Sequence, residues 1–159
     1  MNPLIFLDVD GVLNTRNGSL DADKLDLLRG VIQATSAHVV ISSTWRHTEH
    51  QMARLRPELE KRGIAIVGKT PDASYRNPDE PIWVASTRAI EILQWLGEHR
   101  EYTNFVILDD APFTQLKGWL VQTKSDVGLT PEHCEEIIRR LNPAKSPSSQ
   151  TSTPPATCS

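Results

Sequence analysis

The stretch Leu4-Ile5-Phe6-Leu7-Asp8-Val9-Asp10-Gly11 decides how the rest of the chain is read. Leu4 to Leu7 form an apolar run that suits a strand buried on both faces. The run ends in two carboxylates one residue apart, and then a glycine. Strand side chains alternate faces, so Asp8 and Asp10 point the same way if the strand continues. Gly11 instead lets the chain turn sharply there. Two acids at the carboxyl end of a buried strand suit phosphoryl chemistry. One can attack, the other can donate a proton, and both can help hold a hard divalent cation.

Further buried-strand patterns lie outward from this one, at His38–Ser42, Ile64–Val67 and Asn104–Leu108, with a less apolar fifth at Trp119–Gln122. Helical patterns separate them. Leu25, Leu28 and Ile32 follow helical spacing, and Leu27 and Val31 widen the stripe. Thr48 to Gln51 predicts a capping box, and Pro57 predicts a break or kink in the helix that follows. Ala89, Ile92, Leu93 and Leu96 form one apolar face, and Cys134, Ile137, Ile138 and Leu141 another, with Thr130 as N-cap and Pro131 at the first helical position. Strands alternating with helices predict an α/β fold, a Rossmann-like domain with a central, mostly parallel sheet and helices on both faces. Gly68 to Ala85, with Pro71, Pro78 and Pro81, reads as a long loop of the kind that often carries function. Residues 1–142 are expected to form the domain, and 143–159, rich in Pro, Ser and Thr, a disordered tail.

A chain of 159 residues supports one domain with a real core. Its net charge of -3 provides no overall basic field for nucleic acid or anionic lipid. No apolar run approaches the ~20 residues that span a bilayer. The N-terminus lacks a basic region and a cleavage site, so the expectation is a cytoplasmic protein without a signal peptide. Cys134 and Cys158 read as free thiols rather than a disulfide framework.

The chemistry-bearing residues fall at predicted strand ends. Asp8 and Asp10 follow the first strand, Ser42-Ser43-Thr44-Trp45-Arg46 the second and Asp109-Asp110 the fourth. In open α/β sheets, sites form beyond the carboxyl ends of strands, so these clusters should converge. Asn14 and Arg16 follow the first cluster and could reach substrate, although turn chemistry explains Asn14 equally well. Trp45 and Arg46 read either as a contact to phosphate or base, or as a packed Trp with Arg reaching solvent. A calcium loop also begins D-x-D-G, but the third acid and the closing Glu are missing. The histidines lack zinc-ligand spacing.

The combination resembles the haloacid dehalogenase (HAD) superfamily over roughly residues 3 to 141. The resemblance rests on Asp8-Val9-Asp10-Gly11 after an apolar strand, and on Val39-Val40-Ile41-Ser42. Arg88 at the start of the helix before the last core strand extends it, as does Val106-Ile107-Leu108-Asp109-Asp110. Asn14, the Ser-Ser-Thr-Trp-Arg run and Leu-Asp-Asp look like a small subgroup associated with RNA-repair proteins. The resemblance implies a phosphatase in which Asp8 is the nucleophile and Asp10 the general acid and base. It implies Mg²⁺ on the Asp8 carboxylate, the Asp10 backbone carbonyl and either Asp109 or Asp110. It further implies Ser42, or failing it Ser43, as a donor to the phosphate and a basic residue offsetting charge. That residue is more often Lys in the family, so Lys69 rivals Arg88. Asn14, Ser43 and Arg46 are the candidate substrate contacts.

Many HAD enzymes carry a cap domain. Here the interval from Asp10 to Ser42 is largely filled by one helix and one strand, and Gly68 to Ala85 is too short for a domain. No large cap is expected, and an open site suits a bulky substrate such as a nucleic-acid end or a phosphoprotein; the resemblance puts a nucleic-acid end or nucleotide first. The alternatives are a small-molecule phosphatase with Gly68–Ala85 as a lid, and a binding module that keeps the phosphate pocket without turnover.

Overall fold

The computed structural model describes residues 1–15, 18–76, 79, 83–84 and 87–142. The expected disordered tail, Arg16, Cys158 and part of the 68–85 segment lie outside the described residues. Strands β1 (Leu4–Leu7), β2 (His38–Ile41), β3 (Ile66–Lys69), β6 (Phe105–Asp109) and β7 (Leu120–Gln122) form one sheet in the order β3-β2-β1-β6-β7. Every pairing in it is parallel. The run Leu4–Leu7 is wholly buried because β1 is the central strand, with neighbours on both edges and helices over both faces.

Side-chain alternation divides the core in two. On one face, Ile5, Leu7, Val39, Ile41, Val106 and Leu108 pack against α1 (Ala22–Thr35), α2 (Glu49–Glu60) and α4 (Pro131–Leu141). On the other, Leu4, Phe6, Val40 and Ile107 meet Ile92 and Trp95 of α3 (Arg88–Glu98). This is the α/β, Rossmann-like arrangement expected from the sequence. Cys134 is a buried free thiol in α4, and burial pushes it up to about 11. None of the described helices is long and apolar enough to cross a membrane.

Local differences from the sequence reading have physical causes. Strand β3 starts two residues later than Ile64, because the Ile64 N–H donates to Leu59 O (3.1 Å) and is spent on closing α2. Pro57 does not end α2, which runs on to Glu60. Proline forfeits one helical hydrogen bond, and the full burial of Leu59 in the core offsets that loss. Thr48 and Gln51 form no capping box; their side chains bond to each other instead, at 2.7 Å. Leu93 lies 45% exposed off the α3 face, and Trp95 takes the inward position three residues after Ile92. Thr130 does cap α4, and there a capping box forms, with His133 in the place usually held by Glu or Gln. The 68–85 segment is not all loop. It contributes the end of β3 and a two-stranded antiparallel ladder, β4 (Tyr75–Arg76) with β5 (Trp83–Val84).

Candidate active site

The register of the sheet aligns one polar row. Leu7 pairs with Ile41 and with Leu108, and Ile41 pairs with Lys69. The next residue on each strand is therefore Asp8, Ser42, Asp109 or Thr70, side by side at the carboxyl edge. Backbone bonds continue the ladder to that level: Asp8 N–H donates to Leu108 O (2.9 Å), Ser42 N–H to Leu7 O (2.9 Å) and Thr70 N–H to Ile41 O (3.0 Å). By alternation from Phe6, Val40 and Ile107, the row belongs to the α3 face.

Arg88 opens α3 above this row. Its Nη1 stands 3.1 Å from Asp8 Oδ2 and 2.7 Å from Asp109 Oδ2. Lys69, its rival in the sequence, is exposed on β3 beside a groove lined by His47, Met52 and Arg56. Asp109 is fully buried, and both its oxygens are engaged: Oδ2 with Arg88, and Oδ1 as acceptor from Ala111 N–H at 2.9 Å. The carboxylates of Asp8, Asp109 and Asp110 offer oxygens all within 4.8 Å of one another. Gly11 makes room for that cluster. Its φ is +78°, and a Cβ there would collide with the Asp110 carboxylate.

Asp8 is 1% exposed, and neither of its oxygens has a well-formed hydrogen bond among the described residues. The Arg88 contact is an ion pair by distance alone. Burial, and then the negative charge of Asp109, push Asp8 up to about 8, against the opposing pull of Arg88. Burial likewise raises Asp109. For Arg88, burial works against the charged form, but the charges of Asp8 and Asp109 outweigh it and hold the guanidinium above its ordinary value.

Asp10 is exposed and lies outside that trio of carboxylates. Its Oδ1 accepts from Asn14 Nδ2 (2.8 Å) and from Trp45 Nε1 (3.0 Å). Asn14 also accepts from Gly11 N–H at 3.1 Å, so one buried amide holds both the turn and the carboxylate. Thr123 Oγ1 anchors the same turn by donating to Gly11 O (2.7 Å).

The Ser-Ser-Thr-Trp-Arg run divides into different tasks. Ser42 Oγ is buried and has no partner among the described residues. Ser43 Oγ accepts from Trp45 N–H (3.1 Å) and caps the short 3-10 turn Thr44–His47. Arg46 neither reaches solvent nor presents a free guanidinium. It is 6% exposed and donates to Thr70 O (2.9 Å), Ser42 O (3.2 Å), Ser43 O (2.9 Å), Pro71 O (3.3 Å) and Glu91 Oε1 (3.0 Å). That occupancy makes it a clamp between strand ends rather than a substrate contact. Sequence reasoning missed the role of Trp45 as a donor to Asp10; the signal was an indole N–H, which needs a partner when its ring is buried. It also passed over Thr70, which has no motif around it.

No curated protein and no solved structure matches the chain. A family model described as the HAD domain in Swiss Army Knife RNA repair proteins matches residues 4–134, from the first residue of β1 into α4. The chain therefore belongs to that HAD family, a membership that implies a phosphatase-type hydrolase.

Proposed function

We propose that the protein is a Mg²⁺-dependent phosphomonoesterase that works through an aspartyl-phosphate on Asp8 and acts on a nucleic-acid end or nucleotide. The observation that carries this reading is Asp8 itself: a buried carboxylate without a hydrogen-bond donor of its own, facing a guanidinium at 3.1 Å. A buried polar atom without a hydrogen-bond partner is rare, and in a cluster of like charges it is a functional-site candidate.

In the first step an Asp8 oxygen attacks phosphorus while the ester P–O bond breaks. Asp10 gives its proton to the departing oxygen. In the second step Asp10 takes a proton from water, the water oxygen attacks phosphorus, and the bond to Asp8 breaks to release inorganic phosphate. Asn14 and Trp45 aim the Asp10 carboxylate throughout. Ser42 Oγ donates to a phosphoryl oxygen, and Arg88 offsets the negative charge crowded between Asp8 and Asp109. The donor set fits Mg²⁺, because it is all oxygen and includes Asp8 Oδ1, which has no partner among the described residues. Asp8, Asp110 and the Asp10 backbone carbonyl would hold the ion, since both oxygens of Asp109 are already engaged. Bound there, it would supply charge neutralisation for the transferring group.

The nucleic-acid preference draws support from the family's description and from the lack of a cap domain among the described residues. A second reading takes the β4–β5 ladder, which falls in the chain between β3 and Arg88, as a lid for a small phosphorylated metabolite. Hydrolysis of p-nitrophenyl phosphate with Mg²⁺, by wild type and by Asp8→Asn and Asp10→Asn, tests the chemistry. Activity in wild type and its loss in both variants is expected; an inert wild type points to a binding module. A panel of phosphorylated oligonucleotides, nucleotides, sugars and peptides then tests the substrate. Sugar phosphates turned over far better than oligonucleotides would select the second reading.

A further inference from the structure

Asp8, Ser42 and Thr70 end three adjacent strands at one level, are 1%, 1% and 3% exposed, and each holds a side-chain oxygen without a hydrogen-bond partner among the described residues. Three such orphans in one row point to a ligand that runs along it. The proposed chemistry uses Asp8 and Ser42 and leaves Thr70 without a task.

The position of Thr70 is closely fixed. Its N–H donates to Ile41 O (3.0 Å), and its carbonyl accepts from Arg46 Nε (2.9 Å). The same guanidinium donates to Ser42 O (3.2 Å) and is itself held by Glu91 at 3.0 Å. One buried clamp thus sets the spacing between the Ser42 and Thr70 hydroxyls. Adjacent strands lie about 4.8 Å apart, so Thr70 stands two spacings, roughly 10 Å, from Asp8. A single phosphoryl group on Asp8 does not span that distance. A hydroxyl there meets a second polar group of the same substrate.

The charge beyond Thr70 indicates what that group is. Strand β3 is the edge of the sheet, and round that edge, on the α2 face opposite the Thr70 side chain, a groove carries His47, Arg56 and Lys69 against one acid, Glu49. Basic groups along an open groove suit a polyanionic backbone. We infer that Thr70 is a substrate-binding residue whose hydroxyl donates to the phosphodiester next to the scissile phosphate of a nucleic-acid strand. This rests on the phosphatase reading above, and the strand leaves the site along the β3 edge past Lys69 and Arg56.

The test compares wild type, Thr70→Val and Thr70→Ser on a phosphorylated oligonucleotide and on p-nitrophenyl phosphate. Valine keeps the shape and removes the hydroxyl. The ratio of kcat/KM for oligonucleotide over p-nitrophenyl phosphate falls about tenfold in Thr70→Val, through KM, and recovers in Thr70→Ser. Thr70→Val melts at or above wild type, because an unsatisfied buried hydroxyl has gone. An equal loss on both substrates, no loss on either, or a lowered melting temperature overturns the inference. Binding of the oligonucleotide to Asp8→Asn, with and without Thr70→Val, separates the two claims. A tenfold weaker Kd supports the Thr70 contact even where wild-type turnover has already refuted the phosphatase reading, and an unchanged Kd overturns it.

Discussion

Replacing Arg46 by Met should unfold this protein more readily than almost any other single change near the site. Methionine keeps the length and apolar stem of the side chain but removes its guanidinium. That group makes five contacts while 6% exposed: four backbone carbonyls, at Thr70, Ser42, Ser43 and Pro71, and the Glu91 carboxylate. The side chains of the Arg46–Glu91 pair are 3% and 7% exposed, so the substitution takes a guanidinium away from a buried carboxylate. Breaking a buried pair from one side costs about 3–5 kcal/mol. Glu91 also accepts from Ala73 N–H at 3.3 Å, which softens the penalty, and we expect about 4 kcal/mol. In a domain of this size that lowers Tm by roughly 8–16 °C. Urea unfolding at neutral pH measures it, with Glu91→Gln and the double variant completing a cycle. The double variant should be less destabilised than the sum of the singles by at least ~1 kcal/mol, because each single change already breaks the one Arg46–Glu91 contact. A loss under ~1 kcal/mol for Arg46→Met, or strict additivity in the cycle, would refute the clamp.

Two other outcomes follow from the site. Trp45→Phe removes the 3.0 Å bond to Asp10 Oδ1 and should lower kcat about tenfold with little change in KM. The loss should be larger for phenyl phosphate than for p-nitrophenyl phosphate, since a poorer leaving group depends more on its proton donor; equal losses would assign Trp45 to packing alone. Asp8 is held at about 8 by burial and by Asp109, against 3.8 unfolded, so the folded state binds the proton more tightly. In chelator its stabilising contribution is complete below about pH 4 and falls as pH rises toward 8, by at most about 1.4 kcal/mol per pH unit. Asp8→Asn should flatten that slope in thermal melts, and parallel slopes for the two proteins would contradict it.

The architecture was legible because the central strands are uniformly apolar and end abruptly in polar residues. Hydrophobic periodicity is a local signal, and Leu4–Leu7, His38–Ile41 and Phe105–Asp109 each carry it within a few residues. It weakened where burial was partial. Edge strand β3 alternates between half-buried and exposed, and its start was misplaced because Ile64 closes a helix instead. Leu93 and Trp95 of α3 are both large and apolar, and only packing against Phe6 decides which faces inward.

At the site, the order of residues along the chain was enough to nominate Asp8, Asp10, Ser42 and Asp109-Asp110, because acids and hydroxyls at the ends of buried strands are conspicuous one strand at a time. Sequence could not choose between Arg88 and Lys69, tell Asp109 from Asp110, or decide whether Arg46 met substrate. Those distinctions depend on which groups meet across the fold. Arg88 touches two carboxylates from different strands, Arg46 spends its donors on residues up to 45 positions away, and Thr70 joins the polar row only through sheet register. The sequence by itself determined which residue types stand at each strand end, since that is written locally. Only the tertiary structure decided which of them are buried, paired or left without a partner, because burial and pairing depend on neighbours distant in the chain.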